Sequence, residues 1–422
     1  MIIVMYALLA LFFVYVCFLG YLKIQSPFWF HQPVYHTSAV YPRTFGFASK
    51  PYVVKAVTRM KPNMFCDFTH IQTYPYTNLS THQKTDMVTL LQAHVLDSET
   101  FLHDVTTKSL DCVLTGQKHQ SFVSFYCLET TRETRTKYNQ FALERSLSTT
   151  PIACLATHQQ YVWFALPEHQ CVPVYMWDYN CVHRDHKSQH LSRYMIQTHL
   201  HRQYQYVPSI PVSIFKKEVT RCEGVVPLVA YQTYTFFIQK TPISKLPLGY
   251  KIKRIDTRTM NAWVELYTQL PHLPAFEVCL MPSLNNTVQA ITNETYYVIL
   301  LVCTLTGQEV VKGLYVFKDV YTLWDQHPDI TQKRTVQCVS SVCYEPSESL
   351  YFFRGFVHSV KELYYLKKDY GVLTIEDNSH NCMLLARWRE KYPMHMQTFT
   401  GYYLYNMVYP RSSVKPHRFV AF

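Results

Sequence analysis

Asp178-Tyr179-Asn180-Cys181-Val182-His183-Arg184-Asp185-His186-Lys187-Ser188-Gln189-His190-Leu191 joins a strand end, a basic loop and a helix start. Before it, Cys171-Val172-Pro173-Val174-Tyr175-Met176-Trp177 is an apolar run of the length of a buried strand. After it, Leu191, Met195, Ile196 and Leu200 repeat at helical spacing, with Ser188 available as a cap. A helix start leaves backbone N–H groups without partners, and its dipole favours negative charge. With Lys187 and Arg184 beside it, the junction is suited to phosphate oxygens such as those of a coenzyme A pyrophosphate.

Two other readings of these residues fail on context. His183-Arg184-Asp185-His186-Lys187 imitates a protein-kinase catalytic loop, but no Gly-rich loop precedes it, no D-F-G follows, and His190 replaces the required Asn. The spacing of His183, His186 and His190 would let two imidazoles share a face, as a metal site needs. In a chain with 20 histidines such clusters arise by chance, and no metal is expected.

The elements that must position this junction follow from patterning. The chain has 422 residues, 48% apolar and 15% aromatic, enough for two domains or one double-sized unit with a packed core. Thr85 to Val95 has a helical apolar pattern, and 145 to 183 reads as successive strands broken at Pro167 and Glu168. A second strand-rich block starts near 250. Tyr296 to Cys303 and Val310 to Phe317 flank a Leu305-Thr306-Gly307-Gln308 turn and predict a hairpin. Helical patterns follow at 347–369 and 382–391, and the aromatic run 401–409 closes as a strand. Periodicity alone gives a mixed α and β fold. Only 10 glycines argue against a Gly-rich nucleotide loop, and 13 cysteines without a C-x-x-C pair read mostly as small buried apolar residues.

Met1 to Leu22 carry no charge and match the roughly 20 residues that cross a bilayer. The absence of a basic start argues against a cleaved signal peptide. Lys23, Arg43, Lys50, Lys55, Arg59 and Lys61 follow, so the positive-inside rule predicts a single-pass membrane protein with its body facing the cytoplasm. Against that stand three sequons, at Asn78, Asn285 and Asn293. Residues 23–60 contain prolines and mixed aromatics and read as an extended arm. The formal charge of +11 comes without a nucleic-acid motif, so an anionic membrane surface and acidic co-substrate phosphates are the expected partners, not nucleic acid.

The opening stretch resembles the F-L-C-V-H-x-x-x-R-S-K-R-L motif of the N-myristoyltransferase family, and further segments resemble that family in the same order. Phe28-Trp29-Phe30-His31-Gln32-Pro33-Val34 looks like F-W-x-T-Q-P-V. Cys222-Glu223-Gly224-Val225-Val226 followed by Thr233-Tyr234-Thr235-Phe236-Phe237 looks like T-A-G-V-V followed by T-C-R-Y-W. Leu373-Thr374-Ile375-Glu376-Asp377-Asn378 is similar to A-L-D-L-M-E-N, and Gly401-Tyr402-Tyr403-Leu404-Tyr405-Asn406 to L-Q-Y-Y-L-Y-N. The resemblance covers roughly residues 25 to 422. The departures are specific: R-S-K-R becomes Lys187-Ser188-Gln189-His190, which removes two permanent charges, and the Asn before the F-L pair becomes Asp178. The acidic Y-V-E-D-D-D loop survives as Val95-Leu96-Asp97-Ser98-Glu99-Thr100, and the Thr of T-A-G-V-V is Cys222.

The resemblance implies an α+β fold of two acetyltransferase-like (GNAT-type) halves, 61–245 with the acyl-CoA site and 246–422 with the peptide site. It implies transfer of a tetradecanoyl group from its CoA thioester to the N-terminal glycine of proteins, with acyl-CoA as co-substrate and no cofactor required. Phe28 and Trp29 would lie over the CoA, and Lys187, Ser188, Gln189, His190 and Leu191 would form the phosphate loop. Asp97, Glu99, Cys222, Gly224, Tyr403 and Asn378 would meet the peptide. The backbone amides of Tyr179 and Asn180 would hold the oxyanion, and the α-carboxylate of Phe422 would take the proton of the glycine ammonium. Two plainer readings stand beside this one. Tyr179 and Asn180 can simply end a core strand, and Phe419 to Phe422 can be a packed strand only. The altered loops also fit a catalytically degenerate acyltransferase fold that binds acyl-CoA or peptide at a membrane.

Overall fold

Runs of β-branched and aromatic residues fold into seventeen strands among the described residues of a computed structural model, which describes residues 2–39, 50–96, 101–135, 141–165, 169–238, 245–305, 307–324, 333–366, 369–410 and 413–422. In chain order they are β1 (Tyr52–Val53), β2 (Ile71–Pro75), β3 (Phe101–His103), β4 (Phe122–Arg135), β5 (Phe141–Phe164), β6 (Gln170–Val182), β7 (Ser213–Glu218), β8 (Val229–Phe237) and β9 (Tyr250–Arg254). They continue as β10 (Val278–Pro282), β11 (Tyr296–Cys303), β12 (Val310–Trp324), β13 (Lys333–Cys343), β14 (Tyr370–Glu376), β15 (Met396–Tyr405), β16 (Met407–Val408) and β17 (Phe419–Ala421). One mixed sheet runs β17-β10-β5-β6-β7-β15-β8-β14-β13-β12-β11-β9, with β2 and β4 beside β5 and β3 on β12. Strands from either side of residue 245 alternate in it: β15 lies between β7 and β8, and β8 between β15 and β14.

Helices cover the sheet where their apolar faces demand it. Thr81–His94 starts in a capping box, in which the Gln83 N–H donates to Ser80 Oγ (3.2 Å) and the Ser80 N–H to Gln83 Oε1 (2.9 Å). It buries Met87, Leu90 and Leu91 against Phe125, Cys154 and Cys181. Leu191–Tyr206 buries Met195, Ile196 and Leu200 with Trp177, Phe215 and Phe28. Ser349–Leu366 and Asn381–Trp388 cover the β11 to β14 end with Phe352, Phe356 and Trp388. The hairpin expected across residue 307 is present as β11 and β12, and eight of the thirteen cysteines are buried.

Two expectations change. The arm is not wholly extended: the first helix runs Ile2–Gln25, and Pro27–Phe30 adds a helical turn, with Pro27 at its start supplying the fixed φ that a first turn needs. Ser188 does not cap the following helix. It lies inside a 3-10 helix, Arg184–Gln189, and the N-cap is His190, in the left-handed region at φ 53 with no side-chain cap hydrogen bond. The first helix presents an apolar surface of spanning length, Ile3–Gln25 with mean hydropathy 2.5, none of it buried.

Candidate functional site

The geometry of the site begins at an irregularity in the β5–β6 ladder. Ala156 pairs with Asp178 and Cys154 with Cys181, so Leu155 alone faces Tyr179 and Asn180. This β-bulge turns the strand, and Tyr179 adopts φ 53, a conformation that costs a non-glycine residue about 1–2 kcal/mol. Asp178 offsets part of that, because its Oδ1 accepts the Tyr179 N–H at 2.9 Å. On the other side, the parallel pairing of β6 with β7 ends at Trp177 and Phe215. Past that point the two strands supply Asp178 to Asn180 and Lys216 and Lys217 to the wall of a cavity.

That cavity, of about 870 Å³, is closed by Gln25 to Trp29 from the arm and by Lys187, His190, Ser192, Arg193 and Ile196 from the loop and helix start. Its floor is aromatic: Trp29 stacks on Phe215 (5.2 Å, 16°), which stacks on Trp177 (4.9 Å, 8°). Lys187, Arg193, Lys216 and Lys217 give it a cationic lining, and the helix start beside them lacks a side-chain cap. A second cavity, of about 360 Å³, lies on the other side of the bulge and is lined by Tyr296, Lys318, Gln337, Glu376, Tyr402 and Phe422 among others. The two share His103, Trp177, Asp178, Tyr179 and Lys216.

A buried ionic network holds the second cavity in shape. Glu376, 1% exposed, accepts from Lys216 Nζ (2.6 Å), Tyr231 OH (2.6 Å), Gln337 Nε2 (2.9 Å) and Asn378 Nδ2 (3.0 Å). Four donors make a buried carboxylate tolerable. Lys216 also meets Glu218 at 2.6 Å. Burial works against its ammonium, but Glu218 and Glu376 more than offset this and hold its pKa well above the lysine range. Lys216 is therefore a fixed cation and not a base. The Tyr296 oxygen, and after it Asp178, raise the pKa of Lys318 against burial. Burial lowers that of His103, with Asp178 opposing, and pushes His158 down to about 4.

The residues singled out from sequence separate into three groups. Phe28, Trp29, Lys187 and His190 line the large cavity, with Asn180; Tyr179 lines both, and Phe422 the small one. Ser188 and Gln189 are exposed on the 3-10 helix, and Leu191 is buried beneath it. Cys222, Gly224, Tyr403 and Asn378 line neither cavity. The Cys222 N–H donates to Tyr403 OH at 3.0 Å, and both residues are buried. Gly224, at φ +76, makes the turn whose carbonyl accepts the Thr37 N–H at 3.0 Å, which ties the arm down. Asn378 braces Glu376. Asp97 and Glu99 lie outside the described residues. His183 packs against His94 at 3.9 Å between ring centroids, with the rings tilted by 43°, beside the loop.

Sequence reasoning missed His103, Lys216, Lys318 and the role of Glu376. A signal existed for Lys318, a charge that with Asp319 interrupts the apolar run Leu314-Tyr315-Val316-Phe317. His103 had none, because its strand is three residues long and joins β12 from far away in sequence.

A bulged strand thus parts from its parallel neighbour, and a cation-lined cavity opens at the split. No protein-family model matches this sequence, and no curated protein does. The likeness is in the fold: crystal structures of Saccharomyces cerevisiae N-myristoyltransferase with bound myristoyl-CoA superpose with TM-scores of 0.63 and 0.62 at 10% and 11% identity, over 92% and 93% of this chain and 94% and 90% of theirs. A third, with myristoyl-CoA and inhibitors, gives 0.66 at 11% identity over 94% of each chain. The protein has the N-myristoyltransferase fold.

Proposed function

We propose that this protein uses acyl-CoA to acylate amines and, more specifically, transfers a tetradecanoyl group from CoA to the N-terminal glycine of proteins. The observation that supports the reading best is the meeting of the two cavities at Asp178 and Tyr179. In this reading the CoA phosphates lie against Lys187, Arg193 and the uncapped helix start, and the thioester reaches the bulge. The acceptor enters through the smaller cavity as an ammonium and loses a proton to the Phe422 α-carboxylate. Its nitrogen attacks the thioester carbon, the amides of Tyr179 and Asn180 take up the oxyanion, and the C–S bond breaks as the CoA thiolate leaves and takes the second proton that the nitrogen gives up in becoming an amide. The Phe422 ring is buried among Trp263 and its neighbours, which holds the chain end in place. The helix Ile3–Gln25 anchors the protein, with the body on the cytoplasmic side.

A second reading is favoured by one contact: the Tyr179 N–H is already engaged by Asp178, so the oxyanion must displace that carboxylate oxygen. A site that does not release it would bind acyl-CoA without turnover. Incubating the purified protein with tetradecanoyl-CoA and a glycine-starting peptide decides between them. A mass gain of one tetradecanoyl group supports transfer; acyl-CoA binding by calorimetry without that gain supports the binding module.

A further inference from the structure

The smaller cavity has a wall of hydrogen-bond donors that lack acceptors. Lys318 sits between its cross-strand neighbours Tyr296 and Gln337 and lines the cavity. Among the described residues its ammonium has no ion pair or hydrogen bond; it lies 5.9 Å from the centre of the Tyr296 ring, with Asp178, Glu218 and Glu376 acting on it only at longer range. Lys216, the other cation there, is fully taken up by Glu218 and Glu376. His158, 5% exposed, bonds through Nε2 to Gln160 Nε2 at 2.9 Å, so Nε2 is the acceptor of the neutral ring and Nδ1 carries the hydrogen. That Nδ1 has no partner, and His158 lines the same cavity as Lys318. Unsatisfied buried donors are rare in folded proteins and mark a place that a ligand completes.

Resting on the acyl-transfer reading, we infer that Lys318, with His158, recognises a carboxylate that the acceptor carries within a few bonds of its amine. The charges divide accordingly. Asp178 and the Phe422 carboxylate suit the ammonium of the acceptor, and Lys318 suits its anion, so a zwitterionic end is held at both poles. The volume of about 360 Å³ is that of a small-ligand site. An N-terminal Gly-Asp or Gly-Glu presents this chemistry, and so does a free acidic amino acid.

The test compares otherwise identical peptides beginning Gly-Asp, Gly-Glu, Gly-Asn and Gly-Gln, with free aspartate and glutamate as separate arms, on the full chain in detergent. The unaltered protein should favour each acid over its amide by about tenfold in kcat/KM, and the preferred arm names the source of the carboxylate. In Lys318→Gln that ratio should collapse toward one, while Lys318→Arg should retain it; tetradecanoyl-CoA binding reports that each variant is folded. Equal use of acid and amide by the unaltered protein, or a preference that persists in Lys318→Gln, overturns the assignment. If no acceptor is acylated at all, the transferase reading fails by itself, and the same ratios are read from peptide binding by calorimetry. Equal binding of acid and amide peptides there overturns the role of Lys318.

Discussion

Asp178 does three things with one carboxylate: it holds the Tyr179 amide, lines both cavities and sets the field felt by His103 and Lys318. Asp178→Asn keeps the amide contact and removes the charge. An anion raises an imidazole pKa, so its loss should move His103 further below the ordinary histidine value, read by NMR titration. At the phosphate loop, Lys187→Glu should weaken acyl-CoA binding by about tenfold, ~1.4 kcal/mol, in calorimetry. Removing the carboxylate of Glu376 leaves Tyr231 and Gln337 without their acceptor and Lys216 with Glu218 alone. Glu376→Ala should cost about 3–5 kcal/mol in urea unfolding, the scale for breaking a buried pair. Legibility was uneven at this scale. That Tyr179, Lys187 and Trp29 meet at a cavity could be read because a strand end, a basic loop and a helix start leave local patterns. Lys216 and His103 could not, because their surroundings come from strands brought together only by the fold.

Among the elements, the strand Phe419–Ala421 is the most constrained. It lies parallel to β10, and Ser340 Oγ donates to the Ala421 carbonyl at 2.7 Å, so Phe422 has one place to go. Phe422→Leu should preserve most activity, whereas appending residues or deleting Phe419 to Phe422 should lower the acyl-transfer rate about a hundredfold, with acyl-CoA binding intact. A C-terminally tagged protein turning over at the untagged rate would remove the carboxylate from the mechanism. The helix Leu191–Tyr206 carries another consequence. His199 is wholly buried between Ser124 Oγ (2.8 Å) and Thr157 Oγ1 (2.9 Å), and burial pushes its pKa down to about 3. Unfolding frees it to bind a proton near pH 6.5. Its stabilising contribution is complete above that pH and declines progressively as pH falls toward 3, as does that of His158 toward about 4. Unfolding free energies from urea titration at pH 7 and pH 5 should differ by up to about 2 kcal/mol for each histidine. Helix positions were legible from apolar spacing, as was the β11–β12 hairpin. The cap at His190 was not, because a left-handed residue with no side-chain bond leaves no compositional mark.

For the whole molecule, the first helix and the body separate cleanly in chemistry. Among the described residues none before Gln25 lines either of the two cavities, so deleting Met1 to Leu22 should release the protein from membranes and leave peptide acylation measurable. Retention of that truncated protein on membranes in high salt would require another anchoring surface. Asn285 and Asn293 are exposed, and an attached glycan at either in cells would place the body in the lumen. The order of strands could not have been read from the sequence, since periodicity identifies a strand and says nothing of its neighbours.

That order also governs how the chain reaches its native state. β8 is held on one side by β14, Thr235 against Thr374, and on the other by β15, Tyr231 against Thr400, both synthesised long after it. Until they arrive, a strand carrying Tyr231, Tyr234 and Phe236 has two open edges, the situation that favours slow folding and intermolecular pairing. A nascent or truncated chain that stops near residue 245 should therefore aggregate, and refolding of the full chain should lose yield steeply as protein concentration rises.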